Sequence, residues 1–457
     1  MILSADVVLT LSLGVVLLLL SFIMMNKFYR IKYFLSNGFS VISIMYASHL
    51  VMQLGSSVYF YLRNADLHSQ KYFLACSLTS VLIPLGGIFG SLFIPHTESR
   101  EEKYIYLPID SRLSTKRLCL RYYFIFIMFC LALLIVFILK VESIPIEMLI
   151  KGIGKTDPSQ VALARRSAKT LGRLFGMGSV FFMPLLFTMS FIGLTYFKTK
   201  TIKLLCLFGV LISFIYNAIP GAKTPVTMMF FLGTLVLIQQ RNQEITIKSM
   251  FATFRSMKRF KRYTYIFLIL MIILTILYPV YVFTMLPASD LGIGYLIKRI
   301  TLRMVYLPAK SSYTAFTTYG DSREFTYFRD IYLLSDILGR DYEDISKIIA
   351  VEQGMGEFTN SPPAAIGNFY AQGGWTVVVI GVLFAAAIFR LFEAYFRRNR
   401  DKNLVTFSLY TMLIYGAFRF SWANYHTILA TEVIIPMVLM LIIWNPFENK
   451  LKGNKTR

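Results

Sequence analysis

The stretch VVLTLSLGVVLLLLSFIMM, residues 7–25, decides the fold class of this chain. A helix rises about 1.5 Å per residue, so an uncharged apolar run of this length can cross a hydrocarbon layer of about 30 Å. No basic residue precedes the run, and no small-residue cleavage site precedes Lys27. We therefore expect a first transmembrane helix and not a signal peptide that is removed.

Similar apolar runs recur to the end of the chain, so the sequence predicts an all-α polytopic membrane protein with about 11 (10–12) transmembrane helices. The expected spans are 3–25, 34–54, 72–94, 119–139, 175–196, 203–219, 224–240, 264–286, 374–394, 404–420 and 427–446.

The charge pattern orients these spans. The chain has 457 residues, is 56 % hydrophobic and carries a formal net charge of +23. Its Lys and Arg residues lie mainly in short loops after the odd-numbered spans, which predicts an outside N-terminus and a cytoplasmic C-terminus. A nucleic-acid-binding protein would instead carry one basic patch on a soluble domain, so we expect no nucleic-acid partner.

The predicted membrane topology divides the chain into three parts. Residues 1–286 form an N-terminal bundle of about eight spans, which includes a basic outer loop at 140–174. Residues 287–373 form a large periplasmic or extracellular loop, in which 291–306 and 329–351 have helix-like apolar spacing. Residues 374–457 form a C-terminal bundle of about three spans with a basic cytoplasmic tail.

Signatures of soluble enzymes are missing from the sequence. It has no phosphate loop ending in Gly-Lys-Ser/Thr, no zinc-protease motif and no pair of cysteines at zinc spacing. Cys76, Cys119, Cys130 and Cys206 fall within or beside apolar runs, where small apolar packing residues are expected. We therefore expect no metal, no nucleotide and no other cofactor.

The basic outer loop is the first candidate site. Arg165, Arg166 and Arg173 lie on the side where the orientation rule does not call for positive charge. The planar fork of arginine gives two hydrogen bonds to phosphate oxygens, so an anionic ligand would explain them. The alternative is an interfacial helix on anionic lipid headgroups. Lys223, in a tight outer turn, is a second candidate for anion binding, or else a snorkelling lysine.

Two outer segments near the C-terminus also contain candidate site residues. Residues 356–375 combine Pro and Gly with polar and aromatic side chains, which suits sugar rings; the alternative is an aromatic interface belt with a turn. Arg419 and His426 bracket an outer turn, and His426 is either a general base or an interfacial imidazole. Glu432 is nearly alone as a charge within a predicted span, and is more simply a structural partner than a catalyst.

With these features the chain resembles the Wzy-type polymerases of lipid-linked O-antigen, enterobacterial common antigen and capsule repeat units. The resemblance rests on the span number, the long outer loop in the C-terminal half and the Pro/Gly approach at 361–374. Pro220-Gly-Ala-Lys-Thr224 stands where many members have Gly-Ser/Thr-Arg, and Arg165 with Gly176 fits a spacing found in some members. Two departures are the lysine at 223 and the outside N-terminus, since many members have both termini in the cytoplasm.

The resemblance implies a C-type glycosyltransferase-like fold in a bacterial inner (cytoplasmic) membrane, with the active side facing the periplasm or cell exterior. The enzyme would transfer a growing glycan from undecaprenyl diphosphate to the non-reducing end of a new lipid-linked repeat unit. A separate chain-length-determining co-polymerase is the protein partner that such enzymes usually require.

The resemblance also implies roles for the candidate residues. Fixed cations stabilise the charge that develops on a diphosphate leaving group, and Glu357 or His426 would be the general base. The expected diphosphate ligands are Arg165, Arg166, Arg173, Lys223, Arg303 and Arg419. The expected sugar-binding residues are Asn368, Phe369, Tyr370 and Gln372.

Three other functions remain open. An O-antigen ligase or another polyprenyl-linked glycosyltransferase would use the same arginines with a different acceptor. A flippase or transporter of lipid-linked oligosaccharides predicts charges along mid-membrane helix faces and repeated halves. A purely structural membrane protein would not need an outer loop as long as 287–373.

Overall fold

The computed structural model describes residues 5–29, 40–94, 116–141, 173–197, 199–219, 228–229, 231–233, 235–236, 305–337, 339–355, 360–398, 404–425 and 433–442. Its named α-helices are α1 (Ala5–Tyr29), α2 (Val41–His49), α3 (Gly55–Asn64), α4 (Leu67–Leu92), α5 (Lys116–Lys140), α6 (Arg173–Met177), α7 (Met183–Tyr196), α8 (Lys200–Ala218), α9 (Leu307–Thr318), α10 (Tyr332–Ile337), α11 (Ile345–Glu352), α12 (Ala365–Arg398) and α13 (Leu404–Arg419). Two π-helical turns, Leu50–Leu54 and Gly178–Phe182, continue α2 into α3 and α6 into α7.

The protein is a polytopic membrane protein. Within the described residues, seven helical segments are long and apolar enough to cross a membrane, and each matches a predicted span. They are Asp6–Tyr29, Val41–Asn64, Leu67–Leu92, Arg121–Lys140, Leu174–Leu194, Lys200–Ala218 and Ala365–Phe396. The predicted span 404–420 corresponds to a shorter apolar helix, Leu404–Arg419. The predicted span 264–286 lies outside the described residues, so the full number of spans stays a prediction.

Two boundaries differ from the sequence prediction. The second span continues to Asn64, ten residues beyond its predicted end, because the polar side chains Gln53 and Ser57 are fully buried within the protein. The ninth span starts at Ala365 and not at 374, because the eight residues 365–372, at the end of the predicted outer loop, are already helical.

The chain forms two compact units. The first comprises Met1–Tyr104, Gly292–Arg398 and Gly416–Leu429. The second comprises Ile105–Leu291, Asn399–Tyr415 and Ala430–Arg457. The predicted division at residues 286 and 373 follows membrane topology and stays a prediction.

Close packing of α4 on α12 is the main helix contact of the first unit. A Cβ atom on Gly86 would lie 2.5 Å from the carbonyl oxygen of Leu383, and one on Gly90 would lie 2.7 Å from that of Ala387. Small residues let two helix backbones approach closely, which is how helices associate where lipid removes the hydrophobic driving force. Glycines one turn apart therefore fix where α4 meets α12.

A buried carboxylate joins α12 to the start of α2. Glu393 is fully buried, and its Oε1 accepts the backbone N–H of Val41 at 3.0 Å. The hydroxyl of Ser40 donates to Oε2 at 3.4 Å, and Arg390 forms an ion pair with the same oxygen at 3.2 Å. Negative charge at a helix N-terminus offsets the helix dipole and its unpaired N–H groups. The first free N–H of α2 is thus capped by a residue of α12.

Part of the long predicted outer loop packs around the beginning of α12. Ala315 and Tyr319 from α9 and its end, Ile345 and Ile349 from α11, and Ala371 from α12 form one buried apolar cluster. The predicted helical segment 329–351 consists of two short helices, α10 and α11, while most of the predicted helix 291–306 lies outside the described residues. The helix α9 was not predicted from the sequence.

The second unit uses tyrosine hydroxyls to join its helices. Tyr123 of α5 and Ser190 of α7 share a hydrogen bond of 2.7 Å between their hydroxyl oxygens. The hydroxyl of Tyr216 in α8 donates to the carbonyl of Phe175 at 2.9 Å. Cys76 of the first unit and Cys130 and Cys206 of the second are buried and free, which confirms packing roles for these three cysteines.

Replacing Gly90 with Ala should destabilise the first unit. The added Cβ would meet the Ala387 backbone, which cannot move without shifting α12, and overpacking of this kind typically costs about 1–3 kcal/mol. We expect a lower thermal unfolding temperature and a smaller monodisperse fraction after detergent extraction. Gly55→Ala is the matched control, because its nearest neighbour would be at 3.5 Å, an ordinary contact. Equal unfolding temperatures for the two variants would contradict the packing argument.

Candidate functional site

A buried turn at the end of α13 forms hydrogen bonds to several separate segments of the first unit. The turn comprises residues 419–425, and within it Arg419, Phe420, Ser421 and Asn424 are each at most 9 % exposed. An irregular segment can lie inside a membrane protein only where protein groups satisfy its backbone. Here the carbonyl of Phe420 accepts the N–H of Ala365 at 3.2 Å.

Transmembrane helices hold the turn on one side. The amide nitrogen of Gln53 donates to the carbonyl of Ser421 at 2.6 Å, and the hydroxyl of Tyr72 donates to the Gln53 amide oxygen at 2.9 Å. The hydroxyls of Ser48 and Ser421 share a bond of 2.9 Å. Gln53 lies in the π-helical turn Leu50–Leu54. Single π-turns inside α-helices occur frequently at functional sites.

Segments of the predicted outer loop hold the turn on the other side. The amide nitrogen of Asn424 donates to the hydroxyl of Ser346 in α11 at 3.0 Å. The hydroxyl of Tyr425 donates to the amide oxygen of Gln372 at 2.7 Å. The rings of Phe369 and Tyr425 lie with their centroids 4.3 Å apart. The turn therefore bridges the spans and the outer loop.

A break in α12 determines which groups face this turn. Gly373 and Gly374 have non-helical backbone angles, and Gly374 has φ +64°, a left-handed conformation that glycine adopts without cost. A Cβ at Gly374 would also lie 3.1 Å from the ring of Phe325. The break leaves the carbonyls of Ala371 and Gln372 to accept the backbone N–H groups of Thr326 and Tyr327, at 2.9 and 3.0 Å.

Asp330 follows Thr326 and Tyr327 closely in the chain and is 3 % exposed. Its carboxylate accepts the amide nitrogen of Asn368 at 3.1 Å and that of Gln372 at 2.6 Å. Burial raises the pKa of the Tyr425 hydroxyl and the negative charge of Asp330 raises it further, while the bond to Gln372 lowers it. Tyr425 is therefore a neutral hydrogen-bond donor in this network.

Arg419 provides positive charge within the turn. Its guanidinium carbon lies 5.1 Å from the ring centre of Trp422, a distance at which a cation is attracted to an aromatic face. The indole Nε1 of Trp422 is buried and has no hydrogen-bond partner among the described residues. A cation and an indole donor on one buried turn are groups that can serve an anionic, oxygen-rich ligand.

The predicted site residues fall into two groups. Asn368, Phe369, Tyr370 and Gln372 all lie in the first turns of α12, beside the turn that carries Arg419. Each is at most 3 % exposed and contacts protein: Tyr370, for example, stacks on Phe316 at 3.9 Å. Their role in sugar binding stays a prediction.

The other predicted residues are not described in full. Arg173 begins α6, but its side chain lies outside the described part of the structure. The remaining predicted residues outside the described ranges are Arg165, Arg166, Lys223, Arg303, Glu357, His426 and Glu432. Their roles also stay predictions.

Four polar residues with central contacts in the structure were not among the site residues predicted from the sequence: Gln53, Asp330, Arg390 and Glu393. Asp330 has no local pattern that distinguishes it from nine other acidic residues of the same loop. Gln53 had a usable signal, because a polar amide inside an apolar span is unusual. The same signal applies to Arg390 and Glu393, so the expectation that Glu432 is nearly alone as a charge within a span was wrong.

Comparison of the chain with protein-family models, curated protein sequences and solved structures finds no match. The functional argument therefore rests on the chemistry of the residues themselves.

Replacing Gln53 with Leu should loosen the turn. The carbonyl of Ser421 and the hydroxyl of Tyr72 would both lose their hydrogen bond to Gln53, and a buried polar group left unsatisfied costs about 1–3 kcal/mol. We expect a lower thermal unfolding temperature. Adding Tyr72→Phe should then cost less than it does alone, because the hydroxyl has already lost its acceptor. Strictly additive effects of the two changes would contradict this network.

Proposed function

We propose that this protein is a membrane glycosyltransferase that polymerises oligosaccharide repeat units carried on undecaprenyl diphosphate. The observation that carries the proposal is the contact between two segments predicted separately from the sequence. The turn with Arg419 bonds to the beginning of α12, which holds the predicted sugar-binding residues, through Phe420 and Tyr425. One place would then combine a cation for diphosphate with aromatic and amide groups for sugars.

The proposed reaction uses only groups of the chain. A hydroxyl oxygen at the non-reducing end of the acceptor attacks the anomeric carbon of the donor glycan. The bond from that carbon to the diphosphate oxygen breaks, and the diphosphate leaves with the bonding electrons. The acceptor proton goes to His426 or Glu357 as general base.

Cations contribute most where charge develops during this reaction. The leaving diphosphate gains negative charge, which Arg419 and the outer arginines Arg165 and Arg166 would stabilise. Further contributions would come from Arg173, Lys223 and Arg303. Two hydrogen bonds from each guanidinium would also hold the diphosphate in a fixed orientation. Chemistry of this kind requires neither a metal nor a nucleotide.

A flippase for lipid-linked oligosaccharides is the second candidate, because Arg390 and Glu393 are charged residues inside a span. Their contacts favour a structural role: Arg390 donates to the Ser91 hydroxyl at 2.9 Å and pairs with Glu393, which caps α2. A ligase remains the nearest enzyme alternative, since it would differ in acceptor and not in these residues.

The polymerase proposal predicts a ladder of products in vitro. Purified protein incubated with undecaprenyl-diphosphate-linked repeat units, without metal or nucleotide, should yield products spaced by one repeat on a gel. Changing both Arg165 and Arg166 to Ala should lower the rate on the order of 100-fold, as loss of transition-state donors does elsewhere. Arg419→Ala should do the same, and Arg419→Lys should retain part of the activity.

The matched control is Arg397→Ala with Arg398→Ala. These residues are also an adjacent arginine pair, but they lie at the end of α12, opposite to the predicted active side. The control should polymerise at the wild-type rate. If wild-type protein makes no ladder but moves intact substrate across a proteoliposome bilayer, the protein is a flippase and not a polymerase. Transfer of the glycan to a different lipid acceptor, without a ladder, would indicate a ligase.

A further inference from the structure

We propose that Asp330 is a positioning residue, which sets the orientation of the turn 419–425 through Gln372 and Tyr425. The inference rests on the proposed function for its catalytic meaning and on the described contacts for its geometry. Within the described part of the structure Asp330 accepts hydrogen bonds from Asn368 and Gln372, and it would act on the turn through these neighbours.

The hydrogen bonds at Asp330 run from the two amides to the carboxylate. An ionised carboxylate only accepts hydrogen bonds, so the groups that Asn368 and Gln372 turn toward Asp330 must be their NH₂ groups. The amide oxygen of Gln372 consequently points away from Asp330. It accepts the hydroxyl of Tyr425 at 2.7 Å. Asp330 thus fixes which end of the Gln372 amide meets the turn.

Neighbouring residues hold the segment that carries Asp330. The N–H groups of Thr326 and Tyr327 bond to the carbonyls freed by the break in α12. Arg329, next to Asp330, forms an ion pair with Glu343 at 3.1 Å, and Arg323 pairs with the same carboxylate at 2.9 Å. The segment that leads to Asp330 is therefore held both by α12 and by Glu343.

Two candidate functional residues lie at the ends of the turn in the sequence. Tyr425 is followed in the sequence by His426, a candidate general base, and Arg419 opens the same turn. Misplacement of reacting groups by about 1 Å can cost on the order of 100-fold in rate. A change at Asp330 should therefore reduce catalysis without any contact to substrate.

Moving the carboxylate from residue 330 to residue 372, in two successive substitutions, tests the inference. Gln372→Glu places a second carboxylate against Asp330, and repulsion should displace the turn. Adding Asp330→Asn restores complementary groups, because the introduced asparagine can donate to the introduced glutamate and accept from Asn368, while that glutamate still accepts from Tyr425. We expect kcat to fall on the order of 100-fold in the single variant and to recover to within about 10-fold in the double variant. Loss of a sugar contact at residue 372 would instead raise KM and would not be restored by Asp330→Asn.

A spectroscopic measurement follows the turn independently of activity. Trp422 lies in the turn, and the chain has only three tryptophans, so Trp375→Phe with Trp444→Phe leaves one reporter. In this background, Gln372→Glu should change Trp422 emission and acrylamide quenching, and adding Asp330→Asn should restore both. Asp336→Ala, which removes an exposed acid of the same loop, should leave emission and kcat unchanged.

The outcomes separate the two proposals. If Trp422 responds as described but wild-type protein makes no polymer, the positioning of the turn stands and the proposed function fails. If wild-type protein makes polymer but Gln372→Glu leaves kcat and Trp422 unchanged, the inference about Asp330 is overturned. A variant with reduced yield but normal kcat per folded molecule also overturns it. If Gln372→Glu does not fold, Tyr425→Phe can replace it in the test, because this change removes only the hydroxyl that donates to Gln372. Unchanged kcat and unchanged Trp422 emission in Tyr425→Phe would also overturn the inference.

Discussion

The interruption of α12 at Gly373 and Gly374 is the constraint on which the rest of the described site depends. A continuous helix would satisfy the carbonyls of Ala371 and Gln372 internally. Because the helix stops, these carbonyls take the N–H groups of Thr326 and Tyr327 instead. That exchange brings Asp330 to Asn368 and Gln372 and leaves Gln372 facing Tyr425. A glycine in a left-handed conformation therefore organises polar contacts among three separate segments of the chain.

The buried polar contacts of the first unit fix geometry more than they add stability. A hydrogen bond inside a protein replaces one to water, so its net contribution is modest, whereas an unmade one is costly. Gln53 and Tyr72 hold the turn from the spans, while Ser346 holds it from the outer segment. A turn tied at several points has few alternative conformations. Such rigidity is what a site needs if it must align a cation with a leaving group.

Local features of the sequence were enough to predict much of the fold. Apolar length located the seven spans that the structure describes, and the density of Pro, Gly and aromatic residues distinguished 356–375 from the other loops. Span ends were less accurate, because Gln53 and Ser57 look like the end of an apolar run but are buried by other helices. The start of α12 was missed for a related reason, since 365–373 contains both polar side chains and glycines.

The candidate site was only partly predictable, because its contacts join residues far apart in sequence. The segment 361–374 and the turn with Arg419 were each recognised, but nothing in either indicates the other. Gln53 and Ser421 are separated by 368 positions, and no local pattern relates them. Asp330 illustrates the same limit: its burial follows from the break in α12, some forty residues later in the chain.

The carboxylate cap on α2 has a consequence for the order in which the protein is assembled. Glu393 is synthesised 352 residues after Val41, whose N–H it accepts. At typical elongation rates of about 5–20 residues per second, the ribosome needs roughly 20–70 s to cover that distance. During this interval α2 has no partner from α12 at its N-terminus, and Gly86 and Gly90 have no helix to pack against. An early span of this protein is thus completed only by a late one, so the first helices must remain in the membrane in an unfinished state while most of the chain is still being made.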